Sequence, residues 1–139
     1  MPHLRRRMGK RLVQRVLIMD MPEKLNDIHF TEWIDPKEKL PPNEETVFVI
    51  VEQKTTHGYG NKFITIAFHI NEGSYTDDLV TGFDYDYDTP RLDYDDDGIS
   101  FMHDSWWEQS FFGEYVNIID DARVIRWSHC PDLSLLKGV

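Results

Sequence analysis

A single cysteine, Cys130, among 139 residues rules out any intrachain disulfide, so an oxidising compartment would add nothing to the fold. No apolar run approaches the roughly 20 residues that span a bilayer. Near the start, Leu17-Ile18-Met19 follows Arg15 and is too short for the core of a signal peptide. These lacks place the protein in the cytoplasm, away from membranes. Basic residues are scarce beyond the first 18 positions. That segment holds Arg5, Arg6, Arg7, Lys10, Arg11 and Arg15 and no acid; the rest carries nine basic residues against all 25 acids, a balance of −16. Neutralising phosphates needs clustered Lys and Arg, so direct nucleic-acid binding is disfavoured. Also missing are a phosphate-cradling glycine loop, a Gly-x-Ser-x-Gly elbow, and Cys-x-x-Cys or His-x-x-x-His metal spacing. His69, His103, Asp104, His129 and Cys130 would make a zinc site only by convergence in three dimensions. His129 and Cys130 are neighbours, so on a strand they face opposite ways and make a poor nucleophilic pair. The reading leans away from an enzyme.

What is present suits one domain: 40% hydrophobic and 13% aromatic residues over a length that closes a single core. In residues 1–18, Leu4, Met8, Leu12 and Val16 recur every four positions, which predicts a helical stripe flanked by arginines. We read this segment as a basic extension, disordered or foreign to the domain that spans 19–139; Met19 and Met21 are plausible starts of the acidic body. Residues 22–45 are proline-rich and enclose Ile28, Phe30, Trp33, Ile34 and Leu40, an irregular lead-in whose aromatics pack onto a sheet.

Val47–Val51 is continuously apolar and β-branched, the pattern of a central strand buried on both faces. Residues 62–70 alternate, with Ile64, Ile66, Phe68 and Ile70 on one face, as in a half-buried strand. The turn signal Thr55–Asn61 between them predicts an antiparallel hairpin with a long loop. A late strand pair is expected at Glu114–Ile119 and Ala122–Ser128 around Asp120-Asp121. The fold class is therefore mainly β: one small antiparallel sheet of four to six strands with little helix, plus the possible N-terminal helix.

An acidic, aromatic insertion occupies 75–113. Nine aspartates fall between Asp77 and Asp97 with one base, Arg91, and residues 75–115 hold eleven of the 18 aromatics. Phe83–Asp88 alternates with period two. As a strand it would show Phe83, Tyr85 and Tyr87 on one face and Asp84, Asp86 and Asp88 on the other. Aligned carboxylates repel, and a cation or a basic partner would relieve them. Asp93-Tyr94-Asp95-Asp96-Asp97-Gly98 matches the first half of a calcium loop, with Asp93, Asp95 and Asp97 as ligands and Asp104 at the twelfth position in place of a glutamate. The alternative is a solvated acidic turn that keeps a hairpin soluble. Trp106-Trp107, with Phe111-Phe112, reads either as core or as an exposed contact patch.

Two segments carry a family resemblance. Trp33-Ile34-Asp35-Pro36-Lys37-Glu38-Lys39-Leu40-Pro41-Pro42 leads into Val47-Phe48-Val49-Ile50, and Val124-Ile125-Arg126-Trp127-Ser128-His129-Cys130-Pro131 closes the domain. In that order they resemble the DUF551-like family of small phage and prophage proteins, although the closing strand lacks the family's His-Trp-Met-Pro-like run and the middle is longer and more acidic. The resemblance implies a phage-type accessory role in a bacterial host and transfers no catalytic residue. Trp33, Leu40, Pro41, Trp127 and Pro131 are its structural positions; proline restrains the backbone before the first strand, and the two tryptophans would pack together to close the core. The functional expectation is a non-catalytic protein-binding module for a basic partner, contacting it through Asp84, Tyr85, Asp86, Tyr87, Asp88, Trp106 and Trp107. The alternatives are an acidic mimic of nucleic acid that inhibits a host protein, and a calcium module built on Asp93–Gly98. Mimicry needs carboxylates spread over a face, not gathered in one loop.

Overall fold

The computed structural model describes residues 7–8, 14–18, 32–80, 85–110 and 115–130. Ten strands are described: β1 (Arg7–Met8), β2 (Val16–Ile18), β3 (Val47–Thr55), β4 (Gly58–Ile70), β5 (Ser74–Tyr75), β6 (Leu92–Tyr94), β7 (Ser100–Met102), β8 (Ser105–Gln109), β9 (Tyr115–Ile118) and β10 (Ala122–His129). One sheet runs β1-β9-β8-β4-β3-β10, with β2 also on β4; a small sheet runs β5-β7-β6. All pairings are antiparallel except β1 with β9. The expected mainly-β antiparallel architecture is what the chain adopts. The only helix among the described residues is a single 3-10 turn at Thr76–Asp78.

The β3–β4 hairpin is the spine. Its loop is tighter than the turn signal suggests, because Thr55 already pairs with Gly58, whose φ of 138° suits glycine alone. Val47, Val49 and Val51 are fully buried and Ile50 is 7% exposed, so β3 is apolar on both faces, as its composition requires. On β4 the alternation misleads. Thr65 through Ile70 are all buried, polar Thr65 and His69 included, because both faces of the strand are covered.

The late strands exist but do not pair with each other. β9 joins β8, whereas β10 joins β3 on the far side of β4. Three residues make the passage: Ile119 N–H donates to Trp106 O at 2.9 Å, and Asp121 O accepts from Lys54 N–H at 2.9 Å. Trp106 sits opposite His69 and Lys54 opposite Tyr59, ten residues apart on β4, so about 33 Å if that strand were straight. Three extended residues reach only about 10 Å. The sheet is therefore coiled over on itself. Its inner face holds Val47, Val49, Val51, Ala67, Ala122 and Trp127, with Ile34, Phe63, Trp106, Ile119 and Val124 against them. The other face holds Phe68, Ile70, Trp107 and Val116, onto which the small sheet docks through Met102 and Leu92, beside Leu79 and Tyr85.

Three further expectations change. The N-terminal segment is extended where it is described, not helical: β1 and β2 join the large sheet, and the boundary expected at residue 19 falls beyond strands of the same fold. Residues 85–88 do not form a strand. Thr89 N–H donates to Asp86 O, Asp86 N–H to Thr89 Oγ1 and Asp88 N–H to Asp86 Oδ1, so short polar side chains close the backbone locally instead of leaving it to a neighbour. In the lead-in, Ile34 makes the contact to Trp127, exchanging two backbone hydrogen bonds with it at 2.7 and 3.0 Å. Trp33 is half-buried beside it. Trp127 is fully buried with its indole N–H on Lys39 O, and Pro41 is buried too, but Leu40 is 40% exposed. Asp84 and Pro131 lie outside the described residues.

Candidate functional site

The small sheet presents the acidic, aromatic surface. Tyr87 is 81% exposed between Asp86 and Asp88, and Tyr94, Tyr75, Ile99 and Val80 are exposed on the same unit. Around them stand Asp77 and Asp78 on the 3-10 turn, Asp93 on β6, and Asp96 and Asp97 on the β6–β7 loop, all solvent-facing. Tyr85 does the opposite of Tyr87: it packs on the Phe68–Trp107 core and anchors the segment.

The loop of the expected calcium site is built around Asp95. Its Oδ1 accepts the N–H groups of Asp97 and Ile99, each at 2.9 Å, while Gly98, at φ 78°, donates to Asp95 O. Tyr75 O–H donates to Asp95 Oδ2 at 3.1 Å. The backbone bond from Ile99, joined by those from Tyr75 and Asp97, holds the Asp95 carboxyl below its ordinary range; the same contact pushes the Tyr75 hydroxyl up. Asp93 is taken by His103, whose Nε2 lies 2.9 Å from Asp93 Oδ2 and whose Nδ1 lies 2.6 Å from Glu72 Oε1. His103 is consequently raised, by Asp93 first and Glu72 second. Asp93 is lowered by His103; Glu72 is lowered first by the Asp104 backbone N–H and then by His103. Asp104 turns elsewhere, its Oδ1 2.7 Å from His69 Nε2. Among the described residues no group of three or more His, Cys, Asp or Glu stands close enough to share a metal ion.

The tryptophan pair splits as neighbours on a strand must. Trp107 is fully buried, its indole N–H on Ser105 Oγ at 2.8 Å, so it belongs to the core and not to the surface. Trp106 is half-buried on the inner face, edge-on to His69 with ring centroids 4.9 Å apart. Of the expected contact residues, Asp86, Tyr87 and Asp88 are surface groups. Tyr75 and His103 are additions that local alternation did not single out: the β7 pairings set Tyr75 and Asp93 on either side of Phe101, and the Phe101 ring meets both Tyr75 and His103, whereas Tyr94 lies on the opposite face of the small sheet with Leu92 and Met102. No helix among the described residues is long and apolar enough to cross a membrane. No family model matches the chain, and no curated protein or solved structure matches it either.

Proposed function

We infer that the chain is a non-catalytic binding module that docks a basic protein through the acidic, aromatic face of its small sheet. One observation carries the reading: Tyr87 stands 81% exposed amid aspartates on a unit whose core side is anchored by Met102, Leu92 and Tyr85. A rigid tyrosine supplies contact area at low entropic cost, and surrounding carboxylates steer a basic partner and exclude acidic ones. The resemblance to the DUF551-like proteins supports placing this activity in a phage-type accessory role inside a bacterial host. To test it, parent protein and the Asp86→Lys/Tyr87→Ala/Asp88→Lys variant are immobilised and exposed to host lysate at low and high salt. A basic protein retained by the parent at low salt and lost by the variant is the expected result; equal retention by both removes the proposal.

A second reading has its own support. The acids come from the 3-10 turn, the 86–88 turn, β6 and the 95–97 loop, so they are distributed over several elements instead of crowding one loop. That suits a mimic of nucleic acid whose basic partner is a nucleic-acid-binding protein. Duplex DNA would then displace the retained protein; retention unaffected by excess DNA leaves plain protein docking.

A further inference from the structure

The coiled sheet leaves a cleft of about 400 Å³ on its inner side, between the 35–40 turn, the start of β8 and β10. The register of β10 on β3 slips between Val124 and Arg126, and this bulge brings Val124, Ile125 and Arg126 all onto the cleft, where a regular strand would turn alternate residues away. Trp106, Leu40 and Pro36 complete an apolar wall. Mouths of curled sheets are common places for small ligands.

The polar groups divide by how far they are already engaged. Asp35 Oδ1 accepts the Lys37 N–H at 2.9 Å, and its other oxygen is 3.6 Å from Arg126 Nη1. Arg123 is bonded to Glu52 and lies over the Tyr59 ring, 3.7 Å from its centroid. The ammonium of Lys37 has no ion-pair partner among the described residues, and Arg126, 47% exposed, gives an Nη1 hydrogen bond to its neighbour Ile125 O at 2.6 Å and makes only a long ion contact, to Asp35. Fully buried against the cleft, His69 has Nδ1 on Asn71 Oδ1 at 2.9 Å. Its Nε2 is 2.7 Å from Asp104 Oδ1 but out of line for a hydrogen bond, so that nitrogen has no aligned partner. A buried polar atom left this way is costly unless something completes it.

We propose that this cleft binds a small organic anion, a carboxylate or phosphate carried on a flat apolar body. The anion lies between Lys37 and Arg126, the apolar part rests on Trp106, Ile125 and Leu40, and a polar atom of the ligand meets His69 Nε2. In a chain of net charge −10, two cations without a close ion pair stand beside an apolar wall, and the carboxylates of the same lining, Asp35 and Asp104, already face Arg126 and His69, which leaves Lys37 and Arg126 to select an anion.

The test uses benzoate, phenyl phosphate and inorganic phosphate as probes, with the full chain in constant ionic strength, read by the Trp106 indole N–H resonance. Benzoate or phenyl phosphate should shift it saturably, and whichever binds tighter identifies the headgroup; inorganic phosphate should bind more weakly, lacking the flat body. Lys37→Gln and Arg126→Gln, both at exposed positions, should each weaken binding about tenfold, while Lys62→Gln, which removes an exposed cation outside the cleft, leaves it unchanged. No saturable shift at tens of millimolar organic anion, or a shift that both glutamine variants leave intact, overturns the proposal.

Discussion

Arg15 grips Glu108 through three nitrogen–oxygen contacts: Nε at 3.1 and 3.0 Å and Nη2 at 2.8 Å, with the carboxylate only 6% exposed. The same guanidinium reaches Asp121 at 2.9 and 3.1 Å. Thr65 O–H donates to Glu108 at 2.7 Å and accepts from Gln14 at 3.0 Å. Burial works against the charge on Arg15, but the bonds to Glu108 and Asp121 outweigh it and hold the guanidinium above its ordinary range. One arginine thus ties the N-terminal segment to β8 and to the passage between β9 and β10.

Removing it should leave a buried carboxylate without its counter-ion. Arg15→Ala is expected to destabilise the fold by about 3–5 kcal/mol, seen in urea unfolding as a lower midpoint at unchanged slope. Arg15→Lys should fall between, since an ammonium cannot reproduce the two-pronged geometry. Wild-type stability in Arg15→Ala would mean that the segment does not belong to the cooperative unit.

His103 makes the small sheet sensitive to pH. Its folded value is raised above 6.5, so its contribution is whole below 6.5 and is lost as pH climbs through the raised value. Glu72 and Asp93 are lowered from 4.5 and 3.8, so theirs is whole above those values and is lost as pH falls through the lowered ones. Amide protection in β6 and β7, taken relative to the intrinsic exchange rate at each pH, should therefore be greatest between about pH 4.5 and 6.5. His103→Ala should flatten that profile; an unchanged profile would locate the titration elsewhere.

Two aromatics of one acidic segment should behave in opposite ways. Trp107→Ala empties a fully buried site and is expected to cost about 3–5 kcal/mol. Tyr87→Ala, at an 81% exposed position, should stay within about 0.5 kcal/mol of the parent while weakening retention of the basic partner. Chemical denaturation measures the first, and the lysate experiment run beside it measures the second.

At Asp95 the turn and a metal-ligand role separate cleanly. Asp95→Asn keeps an oxygen for the Asp97 and Ile99 N–H groups and should lower stability only slightly, while Asp95→Ala, which leaves both N–H groups unbonded, should lower it more. Gly98→Ala should cost about 1–2 kcal/mol because of its positive φ. If calorimetry detects calcium binding that Asp95→Asn abolishes at nearly unchanged stability, the carboxylate serves a cation as well as the turn.

Local composition alone determined a good deal. Five consecutive apolar residues at Val47–Val51 have no solvent-facing alternative, so β3 had to be covered on both sides. The strands read at 62–70, 114–119 and 122–128 followed from β-branched and aromatic content, although β4 begins at Gly58, inside the expected turn, and the acid cluster had to lie on the surface. Tertiary structure decided what period and composition do not encode, namely which strand lies beside which. A period of two assigns side chains to faces but names no neighbour. Only the coiling of the sheet sends β9 to β8 and β10 to β3, draws Arg15 to Glu108 across 93 residues of chain, buries His69 on a strand that reads as half-exposed, and separates Trp106 from Trp107. The acidic stretch broke from its strand pattern at 85–88 for a local reason: Asp86 and Thr89 close its backbone with their own side chains, leaving Tyr87 outside and Tyr85 in the core.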